Sequence, residues 1–179
     1  ISVAKDGVFI FSQADVVFNS MSIYELENAS LKNPKAFIQP VFLKDGKVDN
    51  AGMKWIWPGY GIGVRKFKRK IYPTDIVTSI TFATQKSNFE KLGLYAECFA
   101  PAYYEDVDLA LRAKRLGIKQ LVCGKSFVNH RHNESFKSRY SKMDISDICR
   151  ANRLKVIERN YSGVDKNLRL VALKIIDGI

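Results

Sequence analysis

A helix followed directly by a strand is predicted for residues 103–123, whose sequence is YYEDVDLALRAKRLGIKQLVC. Three carboxylates stand near the beginning of this stretch, whereas Lys114 and Arg115 come just before Gly117. This charge order suits the dipole of a helix that ends at a glycine. The residues after the glycine are apolar and β-branched, which predicts a strand over Ile118–Cys123. A helix that passes through one glycine into a strand is typical of α/β domains.

The rest of the chain continues this alternation. An apolar run, Gly7–Phe11, predicts a buried strand that delivers Asp15 at its carboxyl end. The further predicted elements are a helix from the Ser22 capping box to Lys32, an extended segment Ala36–Leu43 that turns at Asp45-Gly46, a strand Asp75–Thr84, a helix from the Ser87 capping box to Gly93, and a strand Ser126–His130.

This order of elements predicts an α/β fold with a Rossmann-like, mixed but mainly parallel sheet that is flanked by helices. In such sheets, ligands bind beyond the carboxyl ends of the strands, where Asp15 and His130 would both lie. The chain of 179 residues is long enough for one domain. We divide it into a core, residues 1–135, and a basic helical C-terminal segment, residues 136–179.

The composition is strongly basic, with 29 lysines and arginines against 18 aspartates and glutamates and a formal net charge of +11. Such an excess suits nucleic acid, an anionic membrane surface or a substrate that carries phosphate, and composition does not choose among them. No stretch approaches the roughly 20 apolar residues of a membrane-spanning helix. The three cysteines, Cys98, Cys123 and Cys149, are widely spaced, which predicts reduced thiols and a cytoplasmic location.

The densest acidic cluster, Glu105, Asp106 and Asp108, has two interpretations. In the first, the carboxylates suit the positive end of the helix dipole, and Asp108 pairs with Arg112 one turn away. In the second, one carboxylate is a general base at a cleft. The helix N-terminus lowers the pKa of an aspartate at this position and the neighbouring glutamate raises it, and the sequence does not decide which effect is larger.

Asp15 and His130 are weaker signals when each is taken alone. An aspartate that follows a strand is often the cap of a turn, and a histidine in a strand is more often a packed residue than a ligand. The two residues become a candidate metal site if a divalent cation such as Mg²⁺ or Mn²⁺ requires ligands at this edge of the sheet.

Several short segments follow one another in an order that is found in one enzyme family. Tyr104-Glu105-Asp106-Val107-Asp108-Leu109-x-x-Arg112 is similar to the signature Glu-Asp-x-Asp-Leu-x-x-Arg, and Phe9–Phe18 is similar to a strand that ends in an Asp-x-Asp-like motif. The other similar segments are Gln39–Leu43 with Asp45–Gly52, Phe89–Gly93, Val128-x-His130 and Arg150-x-Asn152. Over residues 4–155 the chain therefore resembles the family 2 glycosyltransferases.

The resemblance implies a GT-A fold and the inverting transfer of a sugar from a nucleotide-diphosphate donor to a hydroxyl acceptor, which is a glycan or a lipid-linked saccharide. It implies that Asp15 and His130 bind the divalent metal, Mn²⁺ or Mg²⁺, that bridges the donor diphosphate. Asp106 would be the general base. The acceptor would be bound or oriented by the residues around this base, Tyr104, Glu105 and Asp108.

Two features depart from the family. Gln13 stands two positions before the metal aspartate, where an acidic or amide residue is usual. As a donor-binding residue it can still hydrogen-bond a ribose or a metal-bound water, but the site has one carboxylate fewer. The N-terminal βαβ unit that binds the nucleotide base in the family has no counterpart here, so we expect a partial or minimal fold.

The basic run Arg65–Lys70 either closes over the diphosphate, with Arg65 as a donor-binding residue, or is a solvated loop.

Two alternatives stay open. The segment 136–179 mixes basic and apolar residues, which predicts either helices packed on their own domain or an amphipathic helix at the inner face of an anionic membrane. The alternative function is a catalytically degenerate module of the same fold that binds a polyanion without a metal. No nucleic-acid-binding motif is present, so specific binding of nucleic acid is not expected, and the oligomeric state is not predicted.

Overall fold

The computed structural model describes residues 7–131 and 141–178. Its strands are β1 (Val8–Ser12), β2 (Val16–Val17), β3 (Ala36–Lys44), β4 (Lys47–Asn50), β5 (Met53–Ile56), β6 (Tyr60–Gly63), β7 (Ile71–Pro73), β8 (Thr81–Gln85) and β9 (Lys119–His130). Its helices are α1 (Ser20–Lys32), α2 (Lys86–Leu92), α3 (Glu105–Arg115), α4 (Lys142–Asn160) and α5 (Gly163–Asp177). A short 3-10 turn spans Glu97–Phe99.

Within the described residues, seven of the strands form one mixed sheet in the order β1-β8-β3-β9-β2, with β4 paired to β3 and β7 paired to β9. β3 and β9 pair in parallel, and the other pairs are antiparallel. The predicted mixed α/β sheet flanked by helices is confirmed. Antiparallel pairing has a larger share than the sequence suggested, in part because a two-residue turn returns β4 onto β3, and such a turn allows only antiparallel neighbours.

The core lies on both faces of β3, whose residues Ala36–Phe42 are buried. Successive residues of a strand point to opposite faces, so Ile38 packs towards α1 and Phe37 packs towards α2 and α3. Leu26 of α1 belongs to the first cluster, and Leu109 of α3 belongs to the second. The central strand therefore holds a helix layer on each side of the sheet.

Two predicted boundaries differ from the structure. Helix α1 begins earlier than predicted, because its capping box consists of Asn19 and Ser22, whose side chains each accept a hydrogen bond from the other residue's backbone N–H. The strand predicted over Asp75–Thr84 begins only at Thr81. Before it, the buried side chain of Gln39 accepts a hydrogen bond from the Thr78 N–H at 3.0 Å, so a side chain takes the place of a strand partner.

The two strands predicted at Ile118–Cys123 and Ser126–His130 form one strand, β9. The register of β9 shifts opposite Pro40 and Val41. Gly124 lies in this irregular part, where its N–H donates a hydrogen bond to the Lys70 carbonyl oxygen at 3.1 Å. A backbone segment from the basic run thus lies directly against the glycine.

The C-terminal segment forms helices α4 and α5 in its described part. Val156 of α4 is buried in a cluster with Ile76, Phe99 and Val107, so α4 packs on its own domain. The outer side of α5 is exposed at Val164, Leu168, Val171 and Ile175. The predicted domain boundary at residue 135 lies outside the described residues. None of the helices in the described part of the chain combines the length and apolar character needed to span a bilayer.

We predict that Gly124→Ala destabilises the fold by about 3 kcal/mol, because a Cβ at this position would overlap the Lys68 carbonyl oxygen, 1.7 Å away, and force the backbone apart. Urea unfolding followed by circular dichroism measures the change. The matched control is Gly63→Ala, whose Cβ would meet only the amide nitrogen of the Asn50 side chain, at 3.2 Å. We expect the control to change stability by less than about 1 kcal/mol, and equal effects of the two variants would contradict the prediction.

Candidate active site

Two adjacent cavities, of about 410 and about 900 Å³, share a wall that consists of Gln13, Ser79, Ala102 and Glu105. We call the smaller one the Asp106 cavity; its other lining residues include Asp106, Tyr103, Tyr104, His130 and Asn50. We call the larger one the Asp15 cavity; its other lining residues include Asp15, Tyr95, Phe99 and Pro101. The two cavities are therefore neighbours that are separated by these four residues.

Asp15 and His130 are brought together by the pairing of β2 with β9. Val16 lies opposite His130 in this antiparallel pair, and the Arg131 N–H donates a hydrogen bond to the Asp15 carbonyl oxygen at 3.1 Å. As a result, Asp15 Oδ2 lies 3.4 Å from His130 Nε2. Asp15 Oδ2 is also buried and accepts no hydrogen bond from the described residues. A buried carboxylate oxygen that accepts no hydrogen bond and lies beside an imidazole nitrogen is a chemically suitable ligand for a cation.

Glu105 and Asp106 begin helix α3 and are both held by Ser79. The Ser79 hydroxyl donates to Glu105 Oε1 at 2.8 Å, and the Ser79 N–H donates to Asp106 Oδ2 at 3.4 Å. The Val107 N–H donates to Asp106 Oδ1 at 2.8 Å. Glu105 Oε2 is buried without a hydrogen-bond partner among the described residues. Two carboxylates therefore meet at the wall between the cavities.

Burial decides whether the pKa of Asp106 is raised or lowered in the folded protein. Part of the Asp106 carboxylate faces the cavity, but protein surrounds it closely, and this burial is the largest cause that raises its pKa. The charge of Glu105 also raises the pKa and hydrogen bonds from the Val107 and Ser79 backbones lower it, and the net result is a rise from 3.8 to about 7. The helix N-terminus is therefore outweighed, and Asp106 can both accept and release a proton near neutral pH.

Tyr103 and Tyr104 form an unusual turn before α3. Their φ angles are 72° and 70°, in the left-handed region that residues other than glycine rarely adopt. The turn places both residues on the wall of the Asp106 cavity. Burial raises the pKa of Tyr104 to about 12, so its hydroxyl keeps its proton at neutral pH and can donate a hydrogen bond.

Two of the predicted site residues lie elsewhere. Asp108 is buried and lines neither described cavity; it bonds Arg112 Nε at 2.8 Å and Asn160 Nδ2 at 2.8 Å. The predicted pair with Arg112 is thus confirmed, and Asp108 holds helix α4 on helix α3. Arg65 is exposed and does not line the cavities in the described structure. The structure brings together the other predicted residues, which are Gln13, Asp15, Tyr104, Glu105, Asp106 and His130.

Ser79 was not among the predicted site residues, because the apolar residues around it predicted a continuous strand. The adjacent polar residues Thr78 and Ser79 are the signal in the sequence that the strand is interrupted. Asn50 was not predicted either; its side-chain oxygen accepts hydrogen bonds from the Gly52 N–H and from the Gln39 side-chain amide. Ser79 and Asn50 both line the Asp106 cavity because distant segments of the chain fold back beside it, and local sequence patterns do not describe that path.

No protein-family model and no curated protein sequence matches this chain. Among solved structures, the chain is similar to the crystal structure of GalNAc-T7 with UDP, GalNAc and Mn²⁺, with a TM-score of 0.65 and 20% sequence identity. The match covers 84% of this chain and 31% of that chain. This likeness shows the fold: the chain has the mixed α/β architecture of GT-A glycosyltransferases.

We predict that Asp106→Asn stabilises the protein at high pH. The pKa of Asp106 is raised on folding, so its stabilising contribution is present below pH 4 and is lost as the pH rises through about 7. The free energy of unfolding of the variant, relative to that of the natural chain, should therefore increase between pH 4 and pH 8 by on the order of 3 kcal/mol.

Urea unfolding at several pH values measures this difference. The control is Asp147→Asn, since the Asp147 side chain is 66% exposed and its removal should give a difference that does not depend on pH. A flat difference for Asp106→Asn would show that this carboxylate is not buried.

Proposed function

We propose that this chain carries the catalytic part of a metal-dependent, inverting glycosyltransferase that moves a sugar from a nucleotide-diphosphate donor to a hydroxyl acceptor. The observation that carries the proposal is the pair of adjoining cavities, with the raised-pKa carboxylate of Asp106 in one and Asp15 in the other. A GT-A-like fold supports it, because the similar GalNAc-T7 structure contains UDP, GalNAc and Mn²⁺.

The residues at Asp15 fit a divalent cation that is held partly by the donor. Asp15 supplies a buried oxygen without a hydrogen bond, and His130 Nε2 lies 3.4 Å from it. Within residues 7–131 and 141–178, no group of three or more histidine, cysteine, aspartate and glutamate side chains could hold a metal. Two protein ligands suffice where phosphate oxygens and waters complete the coordination, as is usual for Mg²⁺. A cation bound here would offset the negative charge that develops on the leaving diphosphate.

Asp106 is the group that accepts a proton in this proposal. Its carboxylate takes the proton of the acceptor hydroxyl as the hydroxyl oxygen forms its bond to the anomeric carbon and the bond to the diphosphate breaks. Attack from the side opposite the diphosphate inverts the anomeric centre in one displacement. Ser79 holds Glu105 beside the base, and the charge of Glu105 raises the pKa of Asp106. The Tyr104 hydroxyl can donate a hydrogen bond to the acceptor sugar.

We infer that the acceptor is a glycan or a lipid-linked saccharide and that the enzyme works in the cytoplasm, with or without contact to the inner face of the membrane. The exposed apolar residues of α5 support membrane contact, since an amphipathic helix binds lipid through such a face. The packing of α4 on α3 is equally compatible with a protein that does not touch the membrane.

The second candidate function is the binding of a polyanion by a module that has lost catalysis. The exposed cations of the segment Arg65–Lys70 favour it, because they lie outside both cavities and are free to meet a large anion. Such binding would weaken steeply with salt and would not require a metal.

We predict that nucleoside diphosphates bind the protein only with Mn²⁺ or Mg²⁺ and that Asp15→Ala lowers their affinity at least about tenfold, because it removes a ligand of the metal. Isothermal titration of a panel of nucleoside diphosphates, with and without the metal, measures this. Asp106→Asn is the matched control, because it should bind the same nucleotide normally while transfer slows about 10²- to 10⁴-fold. Metal-independent binding that Asp15→Ala does not change would support the polyanion module instead.

We predict that kcat rises with pH through about 7, since Asp106 must lose its proton before it can act as a base. Glu105→Gln removes the neighbouring negative charge, which lowers the pKa of Asp106, so the rise should move to lower pH. Initial rates between pH 5 and pH 9 show the midpoint. Glu90→Gln, an exposed carboxylate of α2 paired with Lys86, is the control that should leave the midpoint unchanged. An unchanged midpoint in Glu105→Gln would argue against Asp106 as the base.

A further inference from the structure

Asn152 makes an unusual set of hydrogen bonds from helix α4. Its side chain is 1% exposed. The amide nitrogen, Nδ2, donates to the carbonyl oxygens of Phe99, Ala102 and Tyr103, at 3.0, 2.8 and 3.0 Å. The two N–H groups of Nδ2 serve three acceptors, so one N–H group is shared between two of the carbonyl oxygens. A single side chain thus binds the backbone of a whole turn.

The segment that Asn152 binds forms the wall of both cavities. Phe99 lines the Asp15 cavity, Tyr103 lines the Asp106 cavity, and Ala102 lines both. The same segment leads directly into the left-handed turn of Tyr103 and Tyr104, which precedes the two carboxylates of α3. Backbone in that region is sparsely populated and persists only where its surroundings hold it. The three carbonyl contacts of Asn152 provide such support from outside the segment.

The side-chain amide of Asn152 is held in the orientation that directs Nδ2 at the three carbonyl oxygens. Its oxygen, Oδ1, accepts a hydrogen bond from Lys155 Nζ at 3.0 Å, and the same Nζ donates to the Cys98 carbonyl oxygen at 2.8 Å. With Oδ1 bound to a cation, Nδ2 must face the turn. An aspartate at position 152 would place a carboxylate oxygen, which cannot donate, against the three carbonyl oxygens. A serine could donate only one hydrogen bond to them.

We propose that Asn152 is a positioning residue of the active site, which acts through the turn 99–104 to place Tyr104 and Asp106 against the acceptor. The proposal rests on the proposed function for the identity of the bound acceptor. Its physical content is independent of that function: helix α4, in the C-terminal segment, determines the shape of the cavity wall. A misplacement of about 1 Å at a reacting group costs about 100-fold in rate, so loss of these hydrogen bonds should be visible in catalysis.

The test compares Asn152→Ala with Asn160→Ala. Asn160 is a matched control, because it is on the same helix and its amide also binds α3 across the interface, at Asp108, but it does not touch the turn. For Asn152→Ala we expect kcat to fall 10- to 100-fold and the acceptor KM to rise. For Asn160→Ala, with a similar loss of Tm, we expect kcat within twofold. Equal losses of activity in the two variants would overturn the proposal.

A second measurement does not depend on catalysis. Carbon-13 NMR of the side-chain carboxyls follows the titration of Asp106 directly. A loosened turn admits water to this buried group, so Asn152→Ala should lower the pKa of Asp106 and Asn160→Ala should leave it unchanged. An unchanged titration in Asn152→Ala would overturn the proposal. If the natural protein transfers no sugar while the titration shifts as expected, the proposed function fails and the positioning role stands.

Lys155→Met covers the case in which Asn152→Ala does not fold. It removes the cation that orients the amide but leaves Nδ2 in place, so the fall in kcat and the shift in the Asp106 titration should be smaller and in the same direction. A natural titration of Asp106 and a natural kcat in this variant would overturn the proposal.

Discussion

The parallel ladder between β3 and β9 is the constraint on which the rest of the molecule depends. It sets two central strands side by side, buries β3 on both faces and leaves the last residue of β9, His130, at the end where β2 returns beside it. Gln39 of β3 uses its buried side-chain oxygen to accept a hydrogen bond from the Thr78 N–H in the segment before β8. That segment can then leave the sheet and carry Ser79 to the two carboxylates.

The site that results keeps two carboxylates close together in a poorly solvated place. Burial of Asp106 beside Glu105 works against the folded state at neutral pH, since lost solvation and the charge of Glu105 both disfavour the charged form of Asp106. Natural proteins accept such local costs mainly where chemistry requires them. The adjacent left-handed turn at Tyr103 and Tyr104 is a cost of the same kind. Together they distinguish this region from the apolar core on either side of β3.

Helices α4 and α5 of the C-terminal segment pack on the core and contact the residues around the candidate site. Asn160 and Arg159 of α4 bind the buried Asp108, and Asn152 binds the backbone of the cavity wall. Helix α5 in turn packs against the β5–β6 hairpin, where Arg169 donates to the Pro58 carbonyl oxygen and the Tyr60 hydroxyl donates to Asp177. Contacts between elements that are far apart in the chain therefore fix helix α4 on α3, and the Asn152 contact alone among these reaches the cavity wall.

Local patterns in the sequence determined the order of strands and helices, the position of α3 and the chemical groups at its start. Apolar periodicity, the glycine at position 117 and the Asp45-Gly46 turn depend on residues close in the chain, so they could be predicted. Six of the predicted site residues meet at the two cavities for the same reason, because strand ends and helix starts share one edge of an α/β sheet. Only the tertiary structure decided the rest. Whether Asp106 is charged, why Asp108 and Arg65 lie elsewhere, and why Ser79 and Asn152 matter all depend on burial and on contacts between distant segments. Such contacts leave no periodic signal, because each involves a single side chain that reaches a group many residues away in the chain.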